Sequence, residues 1–377
     1  MPQPRIAPLV GVPRRYDWGS PTAIPRLLGV EPDGTPVAEL WFGAHPDDPS
    51  GIDGSDIALD AVIAEDADAT LGAGVVERFG PRLPFLLKVL AADKALSMQV
   101  HPDLAQAQAG FAAEDAAGVA RTAPHRNYRD ANHKPELLCA LTPFEALCGF
   151  RPVARTLALL DELALPELDF LAERLRGPDP LRAAFTAVLT HDDPAALVAA
   201  VAARATTEGP LRPVFVAAHD FPGDIGAVLT LLLNHVVLEP GEAIYLGAGN
   251  VHAYLRGTGV EIMASSDNVL RCGLTPKHVD VDELLRITDF RELAEPRWHD
   301  VGGTFSVPVP DFRLTRSTGR GEIAGPAIVL CIDGSVSVGP GEIVLPGRAA
   351  FVGAGAAVPM SVLGTAFVAS VSPPSDR

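Results

Sequence analysis

The chain of 377 residues is 47% hydrophobic and 20% charged, long enough for two or three packed units and too apolar to be disordered as a whole. Its 47 acidic residues against 30 basic ones give a formal charge of -17, which argues against nucleic acid or an anionic membrane as partner, because either needs a basic face. An anionic small molecule would have to be held by a local cluster of positive charge.

The first 20 residues carry proline at positions 2, 4, 8 and 13 and no apolar run of signal-peptide length. The longest apolar stretch, 225–238, is 14 residues and contains Asn234 and His235, too short and too polar to span a bilayer. Cys139, Cys148, Cys272 and Cys331 show no CxxC spacing, which suits buried thiols in a reducing compartment. A cytoplasmic location is expected.

From residue 10 to about 152, short β-rich runs such as 37–42 and 85–90 alternate with Pro, Gly and Asp breaks, and a helix is predicted over 102–113. From 153 to about 238 the text turns to Ala/Leu segments with helical spacing, for instance Leu157, Leu160, Leu163 and then Leu197, Val198, Val201. Asp161, Glu162 and Arg174 would face water there, and Gly177-Pro178-Asp179-Pro180 marks a break between helices.

After Leu238 strands return with an internal echo. Pro240-Gly241-Glu242 leads to Ile244-Tyr245-Leu246-Gly247-Ala248-Gly249, and Pro340-Gly341-Glu342 leads to Ala350-Phe351-Val352-Gly353-Ala354-Gly355. Turn, strand, Gly-rich turn and strand is how a double-sheet jelly roll is written. The second copy has Val358 where the first has His252, so a metal site would belong to the first copy alone. Chance similarity between Gly-rich turns is the rival reading.

Three stretches carry chemistry. In Ser97-Met98-Gln99-Val100-His101-Pro102-Asp103, Gln99 and His101 are two apart and share a strand face, so an amide oxygen and an imidazole can converge on one ion. A structural histidine beside proline is the plainer alternative. In Asn132-His133-Lys134-Pro135-Glu136-Leu137-Leu138, Glu136 stands just inside a predicted buried strand, where a bare carboxylate is costly unless a cation lies beside it. Alternatively, Glu136 pairs with Lys134 at the surface. In Asn250-Val251-His252-Ala253-Tyr254, a histidine follows a turn with Tyr254 on its face. Gln99, His101, Glu136 and His252 together would suit Zn²⁺, with Co²⁺, Mn²⁺ or Fe²⁺ as substitutes.

The surroundings of these residues resemble type I phosphomannose isomerases. The resemblance runs through Tyr16-Asp17-Trp18-Gly19-Ser20, Ala38-Glu39-Leu40-Trp41-Phe42-Gly43-Ala44-His45-Pro46, Leu83-Pro84-Phe85-Leu86-Leu87-Lys88, Gln99-Val100-His101-Pro102-Asp103, Asn132-His133-Lys134-Pro135-Glu136-Leu137 and Cys148-Gly149-Phe150-Arg151-Pro152. Its longest block is Glu261-Ile262-Met263-Ala264-Ser265-Ser266-Asp267-Asn268-Val269-Leu270-Arg271, followed by Gly273-Leu274-Thr275-Pro276-Lys277-His278. The helical segment and the last 70 or so residues match in character only.

That resemblance implies a mainly β protein with an α insertion: cupin-type double-stranded β-helix (jelly-roll) domains plus a helical domain. The expected division is a catalytic cupin unit from 1–152 and 239–300, a helical insertion over 153–238, and a degenerate C-terminal β unit over 301–377. It implies one zinc per chain on Gln99, His101, Glu136 and His252, and interconversion of mannose 6-phosphate and fructose 6-phosphate. Arg271 and Lys134 would lie in the sugar-phosphate pocket with Lys88 as companion and Ser97 as a phosphate hydroxyl donor. Lys134, Glu261 or a water on the metal are the candidate proton carriers, and His133 with Asp267 would assist ring opening.

Several of these residues have plain structural readings as well. Glu261 could pair with Arg271, Asp267 could be a turn residue, and Trp18 and Tyr254, candidates for substrate contact, could be packing residues. Lys277 is read as serving a helix start around Thr275-Pro276, and His45 and His235 as histidines without convergent partners. The expected partner is a small-molecule sugar phosphate acted on by a monomer, with no nucleic acid and no membrane. A non-catalytic sugar-phosphate-binding cupin and an isomerase of another aldose are the competing functions.

Overall fold

A computed structural model describes residues 5–373. Its strands form two antiparallel sheets, of eleven and nine strands among the described residues. Ala243–Leu246, Glu136–Ala140, His252–Ala264 and Phe85–Ala92 lie side by side in that order in one sheet, and Ala349–Val352, Ala327–Val338, Val358–Ser370 and Arg313–Ser317 do so in the other. The echo in the sequence is therefore an echo in topology. The 13-residue strands that start at His252 and Val358 hold the same place in the two sheets. The architecture is of the cupin type.

Phe85–Ala92 is buried along its whole length because both of its faces are covered. Phe85, Leu87, Val89 and Ala91 enter a core shared with Phe351, Phe367, Ile328 and Leu314 of the second sheet, which fastens the two units back to back. Leu86, Lys88 and Leu90 alternate onto the opposite, inward face of the roll. The shared core also explains one departure from the division drawn by sequence. Ile6–Val10 pairs with Ala349–Val352 and with Gly51–Ile52, so these N-terminal strands belong to the second sheet.

The helix predicted over 102–113 is found at Leu104–Ala116, started by a capping box between Asp103 and Gln106. Leu160, Leu163, Leu197, Val198 and Val201 are buried and Asp161, Glu162 and Arg174 exposed, and one helix ends at Arg176 before the next begins at Pro180. The helical segment ends earlier than expected. Leu233–Leu238 is a strand paired with Phe144–Phe150, because Val236 and Leu238 alternate into the roll while His235 and Val237 face outward. The helices cover the outer face of the roll, packing on Met98, Val100, Leu147, Ala253 and Leu255.

His252–Ala264 crosses from one sheet of the roll to the other. Its first residues pair with Gln99 and Cys148, and its last eight pair with Phe85–Ala92. The bend lies where the register shifts between Tyr254 and Arg256, followed by Gly257 at φ +119°. A Cβ on Gly257 would stand 2.7 Å from the Pro143 carbonyl oxygen. Gly257→Ala is expected to cost about 1–3 kcal/mol in backbone strain, with the clash in addition. A thermal unfolding midpoint equal to that of the unchanged protein would show the bend to be dispensable.

Candidate metal centre

Strand alternation decides which side chains meet. Met98, Val100, Ala253, Leu255 and Leu147 point out to the helices, so Gln99, His101, His252, Tyr254 and Cys148 point into the roll. Gln99 is the register partner of both His252 and Arg271, and cross-strand partners share a face. Glu136 comes from the facing strand.

The result is a buried cluster. His101 Nε2 lies 3.4 Å from Glu136 Oε1 and His252 Nε2 3.5 Å from Glu136 Oε2. All three residues are buried, and their donor atoms fall within 4.8 Å of one another. Each imidazole turns its Nδ1 to a backbone carbonyl, His101 to Asn268 at 2.7 Å and His252 to Asn250 at 3.0 Å. A carbonyl can only accept, so Nδ1 carries the proton and Nε2 offers a lone pair. Both Nε2 atoms are buried without a hydrogen-bond partner. Two lone pairs aimed at one carboxylate fit a cation and fit little else.

The charges agree. Burial lowers His101 to about 4 against the pull of Glu136, which keeps it neutral. Burial works against ionisation of Glu136, but the Lys134 ammonium, 3.1 Å away, holds its carboxyl well below the usual range. Mixed nitrogen and oxygen donors of this kind suit zinc. Gln99 stands on the same face to add an amide oxygen.

Behind the cluster is a charged layer that sequence reasoning read only in part. Lys88 lies 3.3 Å from both Glu39 and Glu261, and its ammonium sits over the Trp41 ring. Burial would lower Lys88, but Glu39, Glu261 and Glu136 together raise it, so it stays charged. Glu261 accepts from Tyr254 Oη at 2.7 Å and pairs with Lys88, not with Arg271. Burial first, then Glu136 and Glu39, push its carboxyl up. Glu39 was missed, although an acid in the apolar run Ala38-Glu39-Leu40-Trp41 carries the same signal that singled out Glu136.

The structure does not bring His133 and Asp267 together. His133 Nε2 is 2.9 Å from Asp311 Oδ2, whereas Asp267 faces His45 Nε2 at 3.5 Å. Asp311 and His45 are both buried and neither was singled out by sequence. Against burial, the hydrogen bond with His45 and then Lys134 and Arg129 hold the Asp267 carboxyl below its usual range. Arg271, Arg129 and Lys277 form a positive group close enough for the first two to lower Lys277. Lys277 starts no helix, since the next one begins at Val281, capped by Asp280. Ser97 is half-buried just before Met98, and Trp18 is half-buried, stacked on Tyr16 at 5.6 Å and packed on the cluster that includes Tyr254.

Known proteins resemble the chain throughout. The family described as phosphomannose isomerase type I, catalytic domain, is matched over residues 6–153. The mannose-6-phosphate isomerases of Salmonella typhimurium and Escherichia coli are 39% and 38% identical to it, over 96% of this chain and 98% of each relative. The human mannose-6-phosphate isomerase is 33% identical over 89% of either chain. A crystal structure of mannose 6-phosphate isomerase bound with zinc and yttrium superimposes with a TM-score of 0.90 at 36% identity, covering 98% of this chain and 100% of that one. These alignments include the helical segment and the C-terminal unit, where sequence motifs alone showed only similar character.

Proposed function

The chain belongs to the type I phosphomannose isomerase family, and we infer from its buried centre how it carries out the family's reaction. It is a zinc-dependent aldose–ketose isomerase that interconverts mannose 6-phosphate and fructose 6-phosphate. The observation that carries this reading is the pair of buried, partnerless Nε2 atoms on His101 and His252 flanking Glu136. Zinc held by these residues and Gln99 supplies a Lewis acid for the sugar's reacting oxygens.

The remaining roles belong to side chains. Arg271 holds the phosphate, with Arg129, Lys277 and the Ser97 hydroxyl beside it; a planar guanidinium and a compact ammonium complement a dianion in a protein of net charge -17. Arg271 is two strand steps from His252, through Gln99, at about 4.8 Å per step. That spacing lets the reducing end reach the metal ligands while the phosphate stays at the arginine. Lys134 moves the proton between C1 and C2. Glu261 is a poorer carrier because Lys88 and the Tyr254 hydroxyl occupy it.

His133, oriented by Asp311, exchanges the proton in ring opening. Lys88 keeps a fixed positive charge behind Glu261, and Trp18 and Tyr254 wall the sugar. One chain supplies every ligand, so we assign the active form to a monomer. Among the described residues no helix is long and apolar enough to cross a membrane. The four cysteines are free and buried, and we place the enzyme in the cytoplasm, where thiols stay reduced.

Dialysis against a chelator is expected to abolish fructose 6-phosphate formation from mannose 6-phosphate, and added zinc to restore it. Turnover that survives complete metal removal would sink the mechanism. Restored turnover of another aldose phosphate, with none of mannose 6-phosphate, would overturn the substrate.

A further inference from the structure

A second cleft, of about 510 Å³, opens where the helical segment meets the outer face of the roll. Arg151, Arg155, Arg212 and His235 line it. In an acidic protein this is an unusual concentration of positive charge, and its size suits a small metabolite. Glu145, on the outer face of Phe144–Phe150, ties down part of it: Arg212 Nη2 lies 2.8 Å from Glu145 Oε2, and His235 Nε2 2.8 Å from Oε1.

Arg151 and Arg155 are different. Neither has a carboxylate partner among the described residues, and the charge that acts on half-buried Arg151 is that of Arg155. Two unpaired guanidiniums that line one cleft repel each other, and an anion between them relieves that repulsion. The lining carboxylate, Glu208, is exposed. Guanidinium forks match phosphate oxygens in pairs. No Phe, Tyr or Trp ring lines the cleft, so it lacks the broad apolar platform on which a base would stack.

The cleft is placed to affect catalysis. Glu145 points outward from the same strand on which Ala146 and Cys148 point inward, and Cys148 is the register partner of His252. Arg151 follows that strand directly, and its N–H donates to the Leu232 carbonyl at 2.8 Å. A ligand drawing Arg151 and Arg155 together would load the strand behind a metal ligand.

We propose that this cleft is a second, non-catalytic site that binds a small phosphate monoester and changes turnover from the back of the sheet. It is separate from the phosphate position at Arg271, which lies on the inner face. Reciprocity requires that occupancy of either site alter the affinity of the other.

The test is calorimetric titration of inorganic phosphate into the zinc-loaded enzyme and its Arg155→Glu variant, with steady-state kinetics on both at varied phosphate. The unchanged enzyme is expected to bind two phosphates per chain, one competing with substrate and one changing kcat at saturating substrate. Arg155→Glu, at an exposed position, should keep phosphate-free kcat and the competitive phosphate while weakening the second more than tenfold. Arg155→Lys should weaken it less. A single, purely competitive phosphate in the unchanged enzyme overturns the site, as does a second phosphate that Arg155→Glu leaves intact. A second phosphate to which kcat does not respond overturns the coupling.

Discussion

Glu136→Gln should leave the fold standing and empty the metal centre. Glutamine keeps the shape of the side chain but removes the charge that faces two imidazole lone pairs at 3.4 and 3.5 Å. Loss of a mere supporting partner of a metal ligand costs about 10–100-fold in affinity or activity, so loss of the ligating carboxylate should cost more than about 100-fold in both. It also leaves Lys134 without its partner at 3.1 Å. Metal analysis after gel filtration and a coupled assay read the two effects together. Near-stoichiometric zinc with ordinary turnover would refute the centre as described.

Lys134→Met should separate binding from chemistry. Removing a proton-transferring group costs about 10²–10⁴-fold in rate, and kcat should fall by that much. Zinc content should hold, because the three residues whose donor atoms meet are His101, Glu136 and His252. A kcat within tenfold of the unchanged enzyme would move the proton-transfer role to another group, Glu261 being next in reach of the centre.

What could be read along the chain followed from local rules. Gln99 and His101 share a face because side chains alternate along a strand, and Glu136 was recognisable as an expensive acid in an apolar run. The helix expected over 102–113 was legible within two or three residues of its ends, while its Asp103–Gln106 cap emerged only in the structure, and the helical insertion was legible from its leucine spacing. The insertion's end was misplaced because 225–238 is a continuous apolar run, which reads alike as buried helix and buried strand. Only pairing with Phe144–Phe150 makes its last six residues, Leu233–Leu238, a strand.

Long-range partners were beyond that reach. His133 and Asp267 each lie in a motif that carries the family resemblance, yet His133 turns to Asp311, 178 residues away, and Asp267 turns to His45. Lys277 looked like part of a helix start and proves to share a positive group with Arg271 and Arg129.

Readable along the chain were the β architecture with its helical insertion and the family, together with a proposed set of four residues to hold the metal. Each rests on composition, short-range spacing or motifs that survive without knowing the partners. The tertiary structure alone decided which charges meet, that the first strand joins the C-terminal sheet, and that three arginines converge behind the catalytic roll. Such convergence depends on strand register and on the packing of one unit against another, and no local spacing encodes either.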